Sequence, residues 1–290
     1  MKKHLLFFVF IICLGSIFYY YPLLPIVFKE TGYLFLTRVL PYLFVMMVMG
    51  EAFLALHLEK SEPIFIIRII SFLFNTSNIG SLIYFFSLFS GVPANIYFMK
   101  KCYQYGYISK EEIKHILSYS CYFNPLFLIS ILVSIFGYSV FTYILFFGPY
   151  LYGFLLGIIK RPRKEFEGFR GNDLETYPFY QIIQSIMNTI LYVFGTIMLF
   201  RVIFLFIPNA HFIHGLLEVT QGLIWVQNYS NSIIQYFVIA VYISFFGVSI
   251  FLQIFGLFGV IKKTWKRFIL SRVNLLIIFL FILLLFTIIY

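Results

Sequence analysis

Charge is the scarcest resource in this chain. Only 11% of its 290 residues are Asp, Glu, Lys or Arg, while 62% are apolar. So little polar surface cannot wrap so much apolar surface in water, which excludes a soluble enzyme or a soluble binding module. Aspartate is scarcer still. Asp173 stands alone, so neither a paired-aspartate intramembrane protease nor a two-aspartate metal site is available. There is no GxSxG, no HExxH and no glycine-rich phosphate loop followed by lysine. No nucleophile–base pair can be named for lipid chemistry, and the sequence therefore predicts no enzyme. Cys13, Cys102 and Cys121 are the three cysteines, with no pairing arithmetic and no metal spacing. His211 and His214 stand three residues apart with Glu218 as the one further donor nearby, so neither metal nor any other cofactor is expected.

Long apolar runs are what the sequence has in abundance, and its mean hydropathy is +0.96. The runs are continuous rather than alternating, which predicts an all-α, polytopic helical membrane protein and not a barrel. Seven spans fit, at about 4–22, 34–56, 114–137, 139–159, 181–207, 232–260 and 270–290, each able to cross a bilayer. The N-terminal stretch has a basic start and an apolar run but lacks a small-x-small cleavage site, so it reads as a retained span. Two further apolar segments are interrupted. Segment 63–100 is broken at Asn75–Gly80 and again at Ser90-Gly91-Val92-Pro93, and segment 209–230 carries His211, His214, Glu218, Thr220, Gln221 and Gly222.

The net charge of +10 resides in short clusters between apolar runs, which favours lipid headgroups and excludes nucleic acid as a partner. If both interrupted segments enter and leave on one side and the N-terminus is cytoplasmic, all but three of the 21 Lys and Arg fall inside. The three exceptions are Lys29, Arg38 and Arg201. That bias supports re-entrant segments. It divides the chain into an anchor (1–33), a first unit (34–159), a basic cytoplasmic loop (160–180), a second unit (181–260) and a last helix (261–290). The first unit begins outside and the second inside, an inverted repeat. ILSYSCYFNPLFLISI (116–131) lies loosely in step with AVYISFFGVSIFLQIF (240–255). Inverted repeats with broken helices are a common transporter plan.

Broken backbone in a bilayer leaves polar groups that protein or a water-filled cavity must satisfy. Gly91 permits the turn and Pro93 suits the first turn of a new helix, whose N-terminus would favour an anion, with Asn95 just beyond. Asn124-Pro125 interrupts the span 114–137, freeing a carbonyl that Asn124 can satisfy unless it faces a ligand. Glu218 is an acid in an apolar segment, and Arg201 is either its partner or the cation for an anionic substrate. Gln221 and Gln253 add neutral hydrogen-bonding groups, as substrate contacts or as glue between helices. Glu51 and Arg38, near span ends, read as snorkelling anchors. Ser109 with Glu111 and Glu112 reads as a helix N-terminus that begins the span at 114.

FSGVPANIYFMKKCYQYGYISKEEIKHILSYSCYFNPLFLIS (89–130) resembles the nucleoside-recognition Gate type of membrane protein. More closely, it resembles the YlbJ-type sporulation integral membrane proteins, also called stage V sporulation protein V. HGLLEVTQG (214–222), SFFGVSIFLQ (244–253) and RFILSRVNLL (267–276) resemble the later motifs of that family: L-E-x-T-x-G, F-G-G-x-S-x-x-x-Q and a final F-x-x-x-R helix. The resemblance implies an inner-membrane transporter linked to moving dipicolinic acid toward the forespore. Gly91, Pro93, Asn124, Pro125, Glu218, Thr220, Gly222, Gly247, Ser249 and Gln253 match its motifs. Dipicolinate is a planar dianion, for which the helix N-terminus near Gly91–Pro93 and Arg201 are suitable partners. The chain departs from the family in shorter loops, in SGVPAN without a later glycine, and in Phe246 before Gly247. A nucleoside or other neutral-solute carrier, and a membrane scaffold without transport, are the alternative readings.

Overall fold

A computed structural model describes residues 19–55, 65–162, 166, 179–258 and 265–289. Most of the expected first span, Cys13, His57, Asp173, the greater part of the basic loop and the lysines at 262 and 263 lie outside the described residues.

Helices form throughout, and no strand occurs among the described residues. With no water in the bilayer core, backbone groups must be satisfied within each segment, and the apolar runs accordingly become helices. Among the described residues five are long and apolar enough to cross a membrane: α1 (Tyr21–Leu54), α7 (Val140–Ile159), α8 (Phe179–Phe204), the combined stretch Ser232–Leu257, and Phe268–Leu285 within α13 (Trp265–Ile289). The chain is an all-α, multi-pass membrane protein.

Between these lie shorter helices: α2 (Phe65–Phe74), α3 (Asn78–Ser90), α4 (Ala94–Gln104), α5 (Lys110–Ile116), α6 (Pro125–Phe136), α9 (His211–Leu217), α10 (Val219–Trp225), α11 (Ser232–Phe245) and α12 (Gly247–Phe258). Both breaks expected in segment 63–100 are present. Helices α2 and α3 meet at 106°, with Asn75 in the left-handed region at φ 53°. The expected span 114–137 is not one helix. Helix α5 ends at Ile116, residues 120–124 are non-helical, and Pro125 opens α6 rather than interrupting a longer helix. Hydropathy reports what surrounds a segment and not its dihedrals, so that break escaped the apolar pattern. The span at 232–260 is also interrupted, at Phe246, whose φ of 65° and ψ of −13° are left-handed.

Two cores form. The larger gathers α2 to α7 with α10 to α13, and includes Phe74, Tyr84, Tyr119, Tyr122, Tyr236 and Phe279. The smaller joins α1, α4 and α8 through Phe35, Leu43, Met47, Ala94, Tyr97, Ile190 and Val193.

Ser109 caps α5 as expected, its hydroxyl accepting from the Glu112 amide at 3.1 Å. The Glu112 carboxylate in turn accepts the Ser77 amide at 2.7 Å, tying α5 to the α2–α3 bend. Burial pushes this carboxyl above its ordinary range. The folded chain therefore holds its proton more tightly than the unfolded chain does. The corresponding stability is fully present below the unfolded value and is lost as pH rises through the folded one. Glu112→Gln keeps an acceptor for Ser77 without a charge to desolvate, so its thermal midpoint should gain on the parent on going from a pH below the ordinary carboxylate range to one well above it. Glu112→Ala leaves the amide without its acceptor and should cost about 1–3 kcal/mol. Thermal unfolding of both variants in detergent at the two pH values measures the difference.

Candidate functional site

Four helix breaks meet in the interior, two from each half of the chain. Gly91 follows α3 at φ 64° and ψ 173°, a conformation open essentially to glycine alone. The next amide, on Val92, donates to the Tyr122 carbonyl at 2.7 Å. A Cβ on Gly91 would stand 2.3 Å from the Asn124 nitrogen and 2.7 Å from its Cα, so the two breaks of the first half cross in backbone contact. The second half repeats this with the glycine on the other strand of the crossing. Gly247, at φ 78°, packs on the Glu218 break, where a Cβ would lie 3.2 Å from the Val219 nitrogen and 3.3 Å from the Leu216 oxygen. The two crossings touch through Phe123 and Phe246, whose ring centres are 4.7 Å apart.

Beside these crossings lies a small cleft of about 80 Å³. Ser90, Val92 and Pro93 line it from the first break, Phe123, Asn124 and Phe127 from the second, and Glu218, Val219 and Thr220 from the third. Gln253 and Ile250 of α12, Val193 and Ile197 of α8, and Arg38 and Tyr42 of α1 complete it. Pro93, Asn124, Glu218, Thr220 and Gln253 are thus brought together from the residues that the sequence singled out.

The others serve the walls. Asn95 is fully buried, donates to the Ser120 carbonyl at 2.6 Å and stitches the first break to the second. Pro125 begins α6, and Asn124 caps it, accepting from the amides of Leu126 and Phe127 at 3.0 and 3.2 Å. The N-terminus of α4 is less open than expected: the Asn95 amide donates to the Gly91 carbonyl at 3.0 Å, and Pro93 is the cap itself. Gln253 donates to Thr196 at 2.9 Å, binding α12 to α8 beside the cleft.

Arg201 does not line the cleft. It reaches Glu30 at 3.2 Å, Thr31 at 3.2 Å and Gln221, so it braces α8 against α1 and α10. Nor does it form an ion pair with Glu218. The Glu218 carboxylate caps α10 instead, accepting the Thr220 and Gln221 amides at 3.1 and 3.0 Å. Its charge is offset by the positive end of that helix.

The cation in the cleft is Arg38, which the sequence reading placed as an anchor. It sits in a π-helical turn, Phe35–Val39, a local widening often found at functional sites. Among the described residues its guanidinium has no hydrogen bond or ion pair. Ser90 contributes a buried hydroxyl without a partner. The available signal for Arg38 was an arginine inside an apolar run, and Arg201 carried the same signal.

Arg38 is exposed, as an anchor near a span end would be, whereas Glu51 is not an anchor. It is buried and paired with Lys101 at 3.2 Å. Arg272, the last residue of the F-x-x-x-R motif, is also buried, with its guanidinium 4.7 Å from the ring centre of Phe246 and 5.0 Å from that of Phe268. The cation therefore supports the fourth break through two aromatic faces. His211 stacks on Trp225 at 3.8 Å and His214 on Phe204 at 4.2 Å.

These features define a multi-pass helical membrane protein built around crossed, broken helices and an interior cleft. No family model, curated protein or solved structure matches the chain.

Proposed function

We propose that this protein is a secondary transporter of a small organic anion, akin to the YlbJ-type sporulation membrane proteins, with dipicolinate as the substrate. The observation that carries this reading is the exposed guanidinium of Arg38, without a partner among the described residues, at a cleft walled by three helix breaks. A guanidinium forks onto a carboxylate, and the N-terminal end of α6 beside Asn124 adds positive potential. Tyr42, Phe123 and Phe127 offer flat apolar faces for a planar ring. The Ser90 hydroxyl supplies a further hydrogen bond. Broken helices that meet at a cleft between two units are suited to alternating access, and the substrate crosses chemically unchanged. The charge bias of the sequence puts the N-terminus in the cytoplasm. In a sporulating host the protein would act in the mother-cell membrane around the forespore.

Uptake of labelled dipicolinate into proteoliposomes tests the proposal. Saturable uptake that depends on the protein is expected, and its absence with folded, inserted protein would refute the substrate. A neutral nucleoside is the second reading, favoured by the amides of Asn124 and Gln253 and the acid Glu218 in the same cleft. Competition by nucleosides but not by dipicolinate would select it. Absence of any flux, with a stoichiometric partner on purification, would select a membrane scaffold.

A further inference from the structure

A second opening lies further along α8. Lys100, Gln181, Gln184, Ser185, Asn188, Thr189 and Tyr192 line an open hollow of about 510 Å³, polar where the cleft is mainly apolar. Helix α8 runs past both openings, with residues 181–192 at the hollow and Val193 and Ile197 at the cleft. Helix α12 does likewise, through Leu257 at the hollow and Gln253 at the cleft. Four residues of helix span about 6 Å, so only a thin layer separates the two spaces.

Helix α4 lies in that layer. Its cap, Pro93, lines the cleft, and Lys100, near its other end, lines the hollow. Between them, Ala94 and Tyr97 are packed into the smaller core against α1 and α8. Glycines with left-handed backbone flank the helix, Gly91 at φ 64° and Gly106 at φ 72°. Such positions are able to absorb the dihedral change of a hinge.

One cluster fastens α4 in place. The Tyr97 hydroxyl donates to the Glu51 carboxylate, and the Ser185 hydroxyl stands 3.1 Å from the same phenol oxygen. Lys101 closes the other side, its ammonium 3.2 Å from Glu51 and 5.5 and 5.8 Å from the ring centres of Tyr97 and Tyr105. Three helices, α1, α4 and α8, are thereby joined by one carboxylate that is 4% exposed. A buried carboxylate near the end of an apolar helix is still costly unless paired, and function is the usual reason for keeping it.

We propose that α4 is the gate between the cleft and the polar hollow, and that the Glu51–Tyr97–Lys101 cluster is its latch. The hollow is then the second aqueous access to the same site. This inference rests on the transport reading for its purpose. Its geometry is open to test without any substrate.

Cysteine accessibility provides the test. In a background with Cys13, Cys102 and Cys121 replaced by alanine, Ser90→Cys reports the cleft and Asn188→Cys reports the hollow. A membrane-impermeant maleimide is applied to sealed vesicles of the orientation in which Asn188→Cys is labelled. From that side, Ser90→Cys should be labelled slowly in the latched protein. With Glu51→Gln or Lys101→Met it should be labelled at least about tenfold faster, the shift expected on losing a charge-assisted hydrogen bond. Should one latch variant fail to fold, the other carries the result. Unchanged labelling in a folded variant, with Asn188→Cys still reactive, would overturn the gate. Protection of Ser90→Cys by dipicolinate, measured from the opposite side, tests the substrate separately. A gate that opens without such protection would retain the latch and reject the anion.

Discussion

Gly91→Ala is expected to be the most damaging single-methyl substitution in the described part of this protein. The new Cβ would meet the Asn124 nitrogen at 2.3 Å, the Asn124 Cα at 2.7 Å and the Phe123 carbonyl carbon at 2.7 Å. These are backbone atoms, which cannot rotate aside as the tip of a side chain can. The residue would also have to adopt φ 64° and ψ 173°, which costs about 1–3 kcal/mol of backbone strain for an L side chain. Relief by separating the two breaks would sacrifice the 2.7 Å hydrogen bond from Val92 to Tyr122, leaving buried backbone groups unpaired at a further cost of about 1–3 kcal/mol. A total loss of about 2–6 kcal/mol is expected. The measurement is the thermal midpoint in detergent, compared with two controls. Gly137→Ala shares the positive φ, 61°, but meets nothing within 4 Å, so only the strain should remain. Gly195→Ala lies inside α8 with nothing within 4 Å, and should stabilise by about 0.5–1 kcal/mol through helix propensity. Equal midpoints for Gly91→Ala and Gly137→Ala would show that the crossing is not tightly packed.

The second large effect separates two arginines. Arg38→Gln is expected to lower the kcat/KM for dipicolinate uptake by about 10- to 100-fold, the value of a hydrogen bond to a charged group. Protein levels and thermal midpoint should be maintained, because Arg38 is exposed and has no hydrogen bond or ion pair among the described residues. Arg201→Gln should do the reverse. It removes the brace to Glu30, Thr31 and Gln221, so it should lower the midpoint while leaving the KM within about twofold. If Arg201→Gln abolished uptake in stable protein and Arg38→Gln did not, the assignment of the two arginines would be exchanged. A nucleoside carrier would be indifferent to both in KM.

Why the sequence pointed to Arg201 rather than Arg38 is instructive. Both are single arginines within apolar helices, and local pattern treats them alike. What distinguishes them is the company each keeps. Glu30 and Thr31 lie about 170 residues before Arg201 in the chain, and only the packing of α1 on α8 puts them within reach. The same holds for the span expected at 114–137. Its apolar content is that of a membrane helix, yet residues 120–124 remain extended. Two long-range hydrogen bonds hold them so, Val92 to Tyr122 and Asn95 to Ser120. Phe246 is harder still to anticipate, since a bulky residue in the left-handed region contradicts its own propensity. Its ring lies between Phe123 and the Arg272 guanidinium, contacts available only once the two halves of the chain have met.

Other features are local and were legible. Asn75 and the Ser90–Pro93 turn carry local helix-breaking chemistry, to which distant bonds from Asn75 to Pro162 and from Val92 to Tyr122 are added, and Ser109 and Asn124 cap the helices that follow them. By itself the sequence determined the all-helical membrane class, three of the breaks and five of the residues that line the cleft. Solvent class and backbone chemistry are set by composition and near neighbours. Tertiary structure alone decided which breaks cross, which arginine is left unpaired and which carboxylate is locked away. Pairing and burial depend on residues far apart in the chain, and are defined only when the helices pack.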